Sequence, residues 1–116
     1  MQVQLRNHGR FQVLELHGAV SSDDRRQLRE GFFDAIERGS NLFILNLSHA
    51  HTMDSLALGE AVACAKRARE RGGDLKLVVT PDGIVHELLQ LTGLDRVFEI
   101  FGDEGEAALS FDHGTS

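Results

Sequence analysis

The sequence lacks a long apolar segment. A strongly apolar run such as Leu42-Phe43-Ile44-Leu45 is far shorter than the roughly 20 residues that a helix needs to span a bilayer. The first ten residues, MQVQLRNHGR, also lack the continuous apolar region of a secretory signal peptide. We therefore expect no membrane insertion and a cytoplasmic location.

Basic residues and cysteines are also scarce. The chain has 12 Lys and Arg against 18 Asp and Glu, a formal charge of −6, whereas a protein that binds DNA or RNA needs a basic face to displace counterions from phosphates. We expect no direct nucleic-acid partner. The single cysteine, Cys64, excludes an internal disulfide, and its alanine-rich surroundings predict a buried, inert thiol.

The length and composition indicate one globular domain. A chain of 116 residues can build one hydrophobic core but not two, and 41% apolar with 26% charged residues is typical of globular proteins. We assign residues 1–112 to this domain and expect residues 113–116 to form a flexible C-terminal tail.

The apolar pattern alternates between strand and helix periods. Val3 and Leu5, then Phe11, Val13 and Leu16, flank a turn at residues 7–10 and predict an N-terminal β-hairpin. Further strands are predicted at residues 42–47, 75–79 and 97–101. Four helices are predicted to begin after residues 21–24, after residue 54, at residue 81 and after residues 103–106. This order predicts an α/β fold with a mixed, mostly parallel sheet.

The loop after the third predicted strand is where a site is expected. The run Leu42–Leu47 is nearly continuously apolar, which favours a central strand covered on both faces. Residues 48–55 then form the loop that leaves this strand. Since loops at the carboxyl ends of parallel strands form the usual sites of such sheets, functional residues are sought there first.

Four segments resemble the STAS domains, a family named for sulphate transporters and anti-sigma factor antagonists: LFILNLS, MDSLALGE, RARERGGDLKLV and VHELLQLTGLDRVFEIF. The resemblance covers nearly the whole chain, from Val3 to about Leu109, and implies a single-domain STAS-like fold with about four helices. The sequence is most similar to the bacterial anti-sigma factor antagonists. In these proteins the serine after the Asp of the turn is phosphorylated, and by position that serine is Ser55.

The resemblance implies a partner-switching role. The unphosphorylated protein would sequester an anti-sigma factor that is also an ATP-binding serine kinase, and phosphorylation would release it; a serine phosphatase is a further expected partner. The kinase supplies ATP and magnesium, so we expect no cofactor, no metal and no catalytic residue in this chain. The expected partner-binding residues are Asp54, Ser55, Leu56, Ser21, Asp23 and His51.

The position of Ser55 suits this role physically. At the start of the second predicted helix, backbone N–H groups and the helix dipole accommodate a phosphate. The phosphate adds about −1.5 to −2 charges at pH 7 beside Asp54, so a partner surface that fits a neutral hydroxyl would meet concentrated negative charge.

Two segments depart from the family pattern. Leu56-Ala57 stands where the family turn commonly has a small hydroxyl residue and glycine. Gly18-Ala19-Val20-Ser21 stands where the family often has Gly-Glu-Leu-Asp, with an acid that helps to contact the kinase. Asp23 or Asp24 is then the candidate to replace that acid.

Other interpretations of the same residues remain open. Asp54 or Ser55 is an ordinary helix N-cap in the simplest of them. His49 and His51 are a candidate metal pair, although the sequence has no third ligand at a convincing spacing. A Ser55 nucleophile with a histidine base is conceivable, but no Gly-x-Ser-x-Gly motif is present.

A second function from a different class also fits the resemblance. STAS-only proteins similar to this one serve as constitutive subunits of lipid-transport ABC complexes, and others belong to stressosome-like scaffolds. In the ABC complexes Ser55 need not be phosphorylated. A neighbouring gene for a kinase or sigma factor favours the first function, and one for a permease with an ATPase favours the second.

Overall fold

Five strands and four α-helices alternate along the chain in a computed structural model, which describes the backbone of residues 1–114 and the side chains of residues 1–112. They are β1 (Gln2–His8), β2 (Phe11–Val20), α1 (Arg25–Glu37), β3 (Leu42–Met53), α2 (Ser55–Glu70), β4 (Asp74–Val78), α3 (Ile84–Thr92), β5 (Ile100–Phe101) and α4 (Glu104–Gly114). Short 3₁₀ turns lie at Ser22–Asp24 and Leu94–Arg96. Within residues 1–114, no helix has the length and apolar character that crossing a membrane requires. Of the predicted tail, the backbone of residues 113 and 114 belongs to α4, and residues 115–116 lie outside the described part of the chain.

The strands form one mixed sheet in the order β1-β2-β3-β4-β5. β1 pairs with β2 antiparallel, and the other three pairs are parallel. The hairpin turn is closed by a 3.0 Å hydrogen bond from the N–H of Gly9 to Oδ1 of Asn7, with Gly9 at φ 71°. The predicted hairpin, the α/β class and the central place of β3 are confirmed.

Helices cover both faces of the sheet. α1, α2 and α3 bury their apolar sides against one face, in the larger core cluster, which contains Phe43 and Leu45 of β3. α4 covers the other face with Ala107 and Phe111, which pack on a smaller cluster around Ile44. Successive side chains of β3 thus enter opposite cores, because the side chains of a strand alternate between its two faces.

The central strand is longer than predicted. β3 continues through Met53, so the prediction that residues 48–55 form a loop is wrong. Its pairing with β4 ends at Asn46, but its pairing with β2 continues to the pair Val20 and Met53, with two one-residue register shifts. We call the paired segments 17–20 and 48–53 the β2–β3 arm. The arm extends past β4 and carries the turn into α2 at its end.

Two predicted boundaries also change. Pro81 does not begin α3, because residues 80–83 form a turn in which the N–H of Gly83 donates to the carbonyl oxygen of Thr80 at 3.1 Å. Asp82 in this turn has φ 60°, and its N–H donates to Nδ1 of His86 at 3.1 Å. The predicted strand at residues 97–101 shortens to β5, because the preceding residues continue the 3₁₀ turn that begins after α3.

Candidate functional site

The turn between β3 and α2 is built around Asp54. Its backbone is extended, and its Oδ1 atom accepts a 2.8 Å hydrogen bond from the N–H of Ala57, which makes Asp54 the N-cap of α2. Its Oδ2 atom accepts a 2.7 Å hydrogen bond from the N–H of Ser22, in the turn after β2. The N–H of Asp54 donates to the carbonyl oxygen of Val20 at 3.0 Å. Asp54 therefore both caps α2 and joins the ends of β2 and β3.

The turn after β2 is held by its own capping interaction. The N–H of Asp23 donates to Oγ of Ser21 at 3.3 Å, and the N–H of Ser21 donates to Oδ2 of Asp24 at 2.9 Å. This reciprocal pair is a capping box, and it leaves the Asp23 side chain exposed. Because Ser22 donates to Asp54, the two turns meet. Ser21 and Asp23 thus lie at the same end of the sheet as the start of α2.

Ser55 is the first residue of α2 and is exposed. Among the described residues, its hydroxyl has no hydrogen-bond partner, and the N–H groups of Ser55 and Leu56 donate to none. Free N–H groups and the positive end of the helix dipole favour an anion at this position. The hydroxyl is open to another protein, and a phosphate on it would lie beside N–H donors.

The two leucines that follow Ser55 have different environments. Leu58 is fully buried and packs in the larger core. Leu56 is 56% exposed, so its side chain stands in solvent next to the serine hydroxyl. A single exposed leucine is common on protein surfaces. Its place beside Ser55 makes it available to any partner that reaches this hydroxyl.

The two histidines of the β2–β3 arm lie in separate surroundings. Nε2 of His49 is 2.9 Å from Oε1 of Glu15, and the His49 ring stacks on that of His17 with 4.7 Å between centroids. His51 lies at a register shift and lines a groove beside Ile84 of α3. Among the described residues, no group of three His, Cys, Asp or Glu side chains is placed to hold a metal ion. His49 and His51 therefore have different neighbours along the arm.

Comparison with known proteins decides the family. The sequence pattern of the STAS domain matches residues 2–107, which is most of the chain. The chain belongs to the STAS domain family.

The sequences and structures of several relatives match this STAS domain along nearly the whole chain. The anti-sigma F factor antagonist of Paenibacillus polymyxa is 27% identical over 109 residues, 92% of each chain. The crystal structure of a candidate anti-sigma factor antagonist from Thermotoga maritima has a TM-score of 0.85 and 27% identity, and the match covers 93% of this chain and 92% of that one. SpoIIAA, a Bacillus cell fate determinant solved in its phosphorylated form, shares the fold, with a TM-score of 0.72, 24% identity and coverage of 92% and 96%.

One departure of this STAS domain from the family pattern has a structural counterpart. The segment 18–21 lacks the acids that the family often has there, but the adjacent 3₁₀ turn supplies two. The carboxylate of Asp24 accepts a hydrogen bond from the N–H of Ser21, whereas the side chain of Asp23 is exposed and has no hydrogen bond or ion pair among the described residues. Asp23 is therefore the acid that remains available at this surface.

A buried glutamate on α2 is a feature that the sequence analysis missed. Glu60 is 5% exposed, and its Oε1 atom accepts hydrogen bonds from Nη2 of Arg29 at 2.9 Å and from Nε of Arg25 at 3.2 Å. The hydrogen bond from Arg29 is the largest cause that lowers the pKa of Glu60 below its ordinary value of 4.5; burial opposes it, and Arg25 adds to it. Both arginines belong to α1. The cluster therefore fixes α1 against the helix that carries Ser55.

Loss of the Glu60 charge is expected to destabilise the domain. We expect Glu60→Gln to lower the free energy of unfolding by about 1–3 kcal/mol at pH 7, because a buried charge-assisted network loses its anion. Because the folded-state pKa is lowered, this stabilisation is present above pH 4.5 and is lost as the pH falls below it. Urea denaturation of the wild type and of Glu60→Gln at pH 7 and pH 4 measures this difference in the free energy of unfolding. A stability difference that is as large at pH 4 as at pH 7 would contradict this assignment.

A second polar cluster lies on the face of the sheet that α4 covers. Burial alone would raise the pKa of Glu104, at the start of α4, but hydrogen bonds from Arg6 and Asn46 outweigh it and lower this pKa. Nη2 of Arg6 is also 3.2 Å from Oε2 of Glu15. The cluster ties α4 to β1, β2 and β3 near the base of the β2–β3 arm.

The single cysteine belongs to the core rather than to a site. Cys64 on α2 is fully buried, as predicted, and burial raises the pKa of its thiol. The reactive thiolate is therefore disfavoured.

Proposed function

We propose that this STAS domain is an anti-sigma factor antagonist that is switched by phosphorylation of Ser55. In its unphosphorylated form it binds and sequesters an anti-sigma factor that is also an ATP-binding serine kinase, in the cytoplasm, and so regulates transcription. Phosphorylation releases this kinase, and a serine phosphatase restores binding. The chain is then a substrate of the kinase and not a catalyst.

The proposal is based mainly on the position of Ser55. Its exposed hydroxyl begins α2 without a hydrogen-bond partner among the described residues, while the cap of α2 comes from Asp54. Modification of Ser55 therefore leaves the cap in place and adds an anion where free N–H groups favour one. The match to the anti-sigma F factor antagonist of Paenibacillus polymyxa, which covers 92% of that protein, supports the same function.

The surroundings of Ser55 supply a contact surface with apolar and acidic parts. Leu56 offers an exposed apolar side chain and Asp23 an exposed carboxylate. Asp54 joins the two turns, because its carboxylate accepts a hydrogen bond from the N–H of Ser22, and Ser21 stabilises its own turn through the capping interaction with Asp24. We assign Leu56 and Asp23 to direct contact with the kinase, and Ser21 and Asp54 to the shape of the surface.

Phosphate transfer from the kinase tests the assignment of Ser55. We expect the protein, mixed with its purified cognate anti-sigma kinase and Mg-ATP, to gain the mass of one phosphate, and Ser55→Ala to gain none. Ser22→Ala is the matched control, because it removes a hydroxyl from the facing turn and keeps the N–H that donates to Asp54. Intact-protein mass spectrometry measures the outcome. Full modification of Ser55→Ala would overturn the assignment.

A further inference from the structure

A shallow groove separates the β2–β3 arm from the start of α3. It has a volume of about 200 Å³ and is lined by Leu47, Ala50, His51, Thr80, Gly83, Ile84 and Val85. Its floor is apolar, since Leu47 and Val85 are buried, and its rim carries Ile84, which is 63% exposed. Within residues 1–112, no carboxylate, lysine or arginine lines it. We propose that this groove receives an apolar side chain of the anti-sigma kinase that binds at Ser55, an inference that rests on the proposed function.

The size of the groove favours a side chain over a metabolite. Small-molecule sites usually enclose about 300–1,000 Å³ and place polar groups at defined points around the ligand. This groove is smaller, and its lining offers few polar groups besides the side chains of His51 and Thr80. One leucine, isoleucine, methionine or phenylalanine side chain is the occupant that fits such a volume and such a lining.

The groove lies within reach of a partner that is centred on Ser55. His51 precedes Ser55 by four residues, so their Cα atoms are at most about 14 Å apart. A standard protein interface buries about 800 Å² of each partner, which corresponds to a disc of roughly 16 Å radius. His51 lies near the carboxyl end of β3, Ser55 begins α2 two residues after that strand ends, and both are exposed. An interface of ordinary size around Ser55 therefore extends to the rim of the groove.

The exposed isoleucine adds a reason to expect burial by a partner. Leu56 on one side of Ser55 and Ile84 at the groove are both large apolar side chains left in solvent. Contacts that bury such side chains in a pocket contribute a large share of binding energy, while the surrounding contacts contribute little. The groove would thus act as an anchor point, and Ser55 as the switch beside it.

Substitution of Ile84 tests the groove. We expect Ile84→Asp to weaken binding of the purified cognate kinase at least about 10-fold, measured by calorimetry. Ile84→Leu should stay within about threefold. Leu91→Asp is the matched control, because Leu91 is 79% exposed on the same helix but does not line the groove. It should also stay within about threefold. Circular dichroism of each variant confirms that the fold is retained.

The result for Ser55→Asp separates this inference from the proposed function. If Ser55→Asp weakens binding and Ile84→Asp does not, the groove does not anchor the kinase, while the proposed switch at Ser55 is retained. If Leu91→Asp weakens binding as much as Ile84→Asp, the whole apolar face of α3 is in contact and the groove assignment is overturned. If neither Ser55→Asp nor Ile84→Asp changes the affinity, the proposed function itself fails.

Discussion

Ser55→Asp is expected to weaken binding of the anti-sigma kinase at least about 100-fold, whereas Ser55→Ala should keep the affinity within about threefold. The substitution places a second carboxylate beside Asp54 on a surface that fits a neutral hydroxyl, and a charge buried in an interface without a partner costs several kcal/mol. A factor of 100 corresponds to about 2.7 kcal/mol. The domain itself should remain folded, because an acidic residue in the first turn of a helix is favourable. Isothermal titration calorimetry measures both affinities.

An uncharged variant separates charge from size. Ser55→Asn adds nearly the same volume as Ser55→Asp without the charge. We expect it to weaken binding by less than about 10-fold. The loss in Ser55→Asp should also shrink as salt is raised, since ions screen charges at an exposed surface. Equal losses for the Asn and Asp variants would show that size, and not charge, excludes the partner.

Gly73→Ala is expected to cause the largest loss of stability of any single substitution considered. A Cβ atom at Gly73 would lie 1.7 Å from the carbonyl oxygen of Asn41, and that oxygen accepts a 2.9 Å hydrogen bond from the N–H of Asp74. The N–H of Gly73 also donates to Ala68 at 2.8 Å, so neither side can move without losing a hydrogen bond. We expect a loss of about 3 kcal/mol or more, or no soluble protein.

Gly59→Ala is the matched control on α2. Nothing lies within 4 Å of a Cβ atom at Gly59, which is exposed inside the helix. Alanine is favoured over glycine in a helix interior by about 0.5–1 kcal/mol, so this variant should be more stable than the wild type. Urea denaturation of both variants measures the difference. Closely similar stabilities for the two would contradict the close approach at Gly73.

The parts of the fold that the sequence predicted depend on local interactions. The hairpin follows from alternating apolar residues around a turn, and the start of α2 follows from Asp54 before a helical apolar pattern. Gly39 and Gly93, which lie just after the ends of α1 and α3, both have positive φ, at 101° and 75°. At these positions the residues adjacent in the sequence determine the backbone conformation, so one sequence is enough to predict it.

The β2–β3 arm was missed because its pairing is not local. The mostly polar segment 48–52 resembles a loop in the sequence, and it becomes a strand only because β2 extends alongside it. Two register shifts then place His49 and His51 in different surroundings. The regular alternation of side chains between the two faces of a strand does not predict this. The arm matters for the site, because it fixes the turns that carry Ser21 and Ser55.

The Glu60 cluster was missed for another reason. An acidic residue on a helix is usually solvated, so the sequence analysis gave it no role. Its position offers a clue, since it follows Ala57 by three residues and precedes Cys64 by four, which places it on the buried side of α2. Arg25 and Arg29 are four apart on α1 and reach it from there. Only the packing of the two helices shows that they meet.

The affinity of the anti-sigma kinase for the two forms of this STAS domain tests the central claim most directly. The protein is prepared unphosphorylated and fully phosphorylated at Ser55, as verified by mass spectrometry, and each form is titrated into the purified kinase by calorimetry. We predict binding at least about 100-fold weaker for the phosphorylated form, because the phosphate adds about −1.5 to −2 charges beside Asp54. Affinities equal within about threefold would contradict a switch at Ser55.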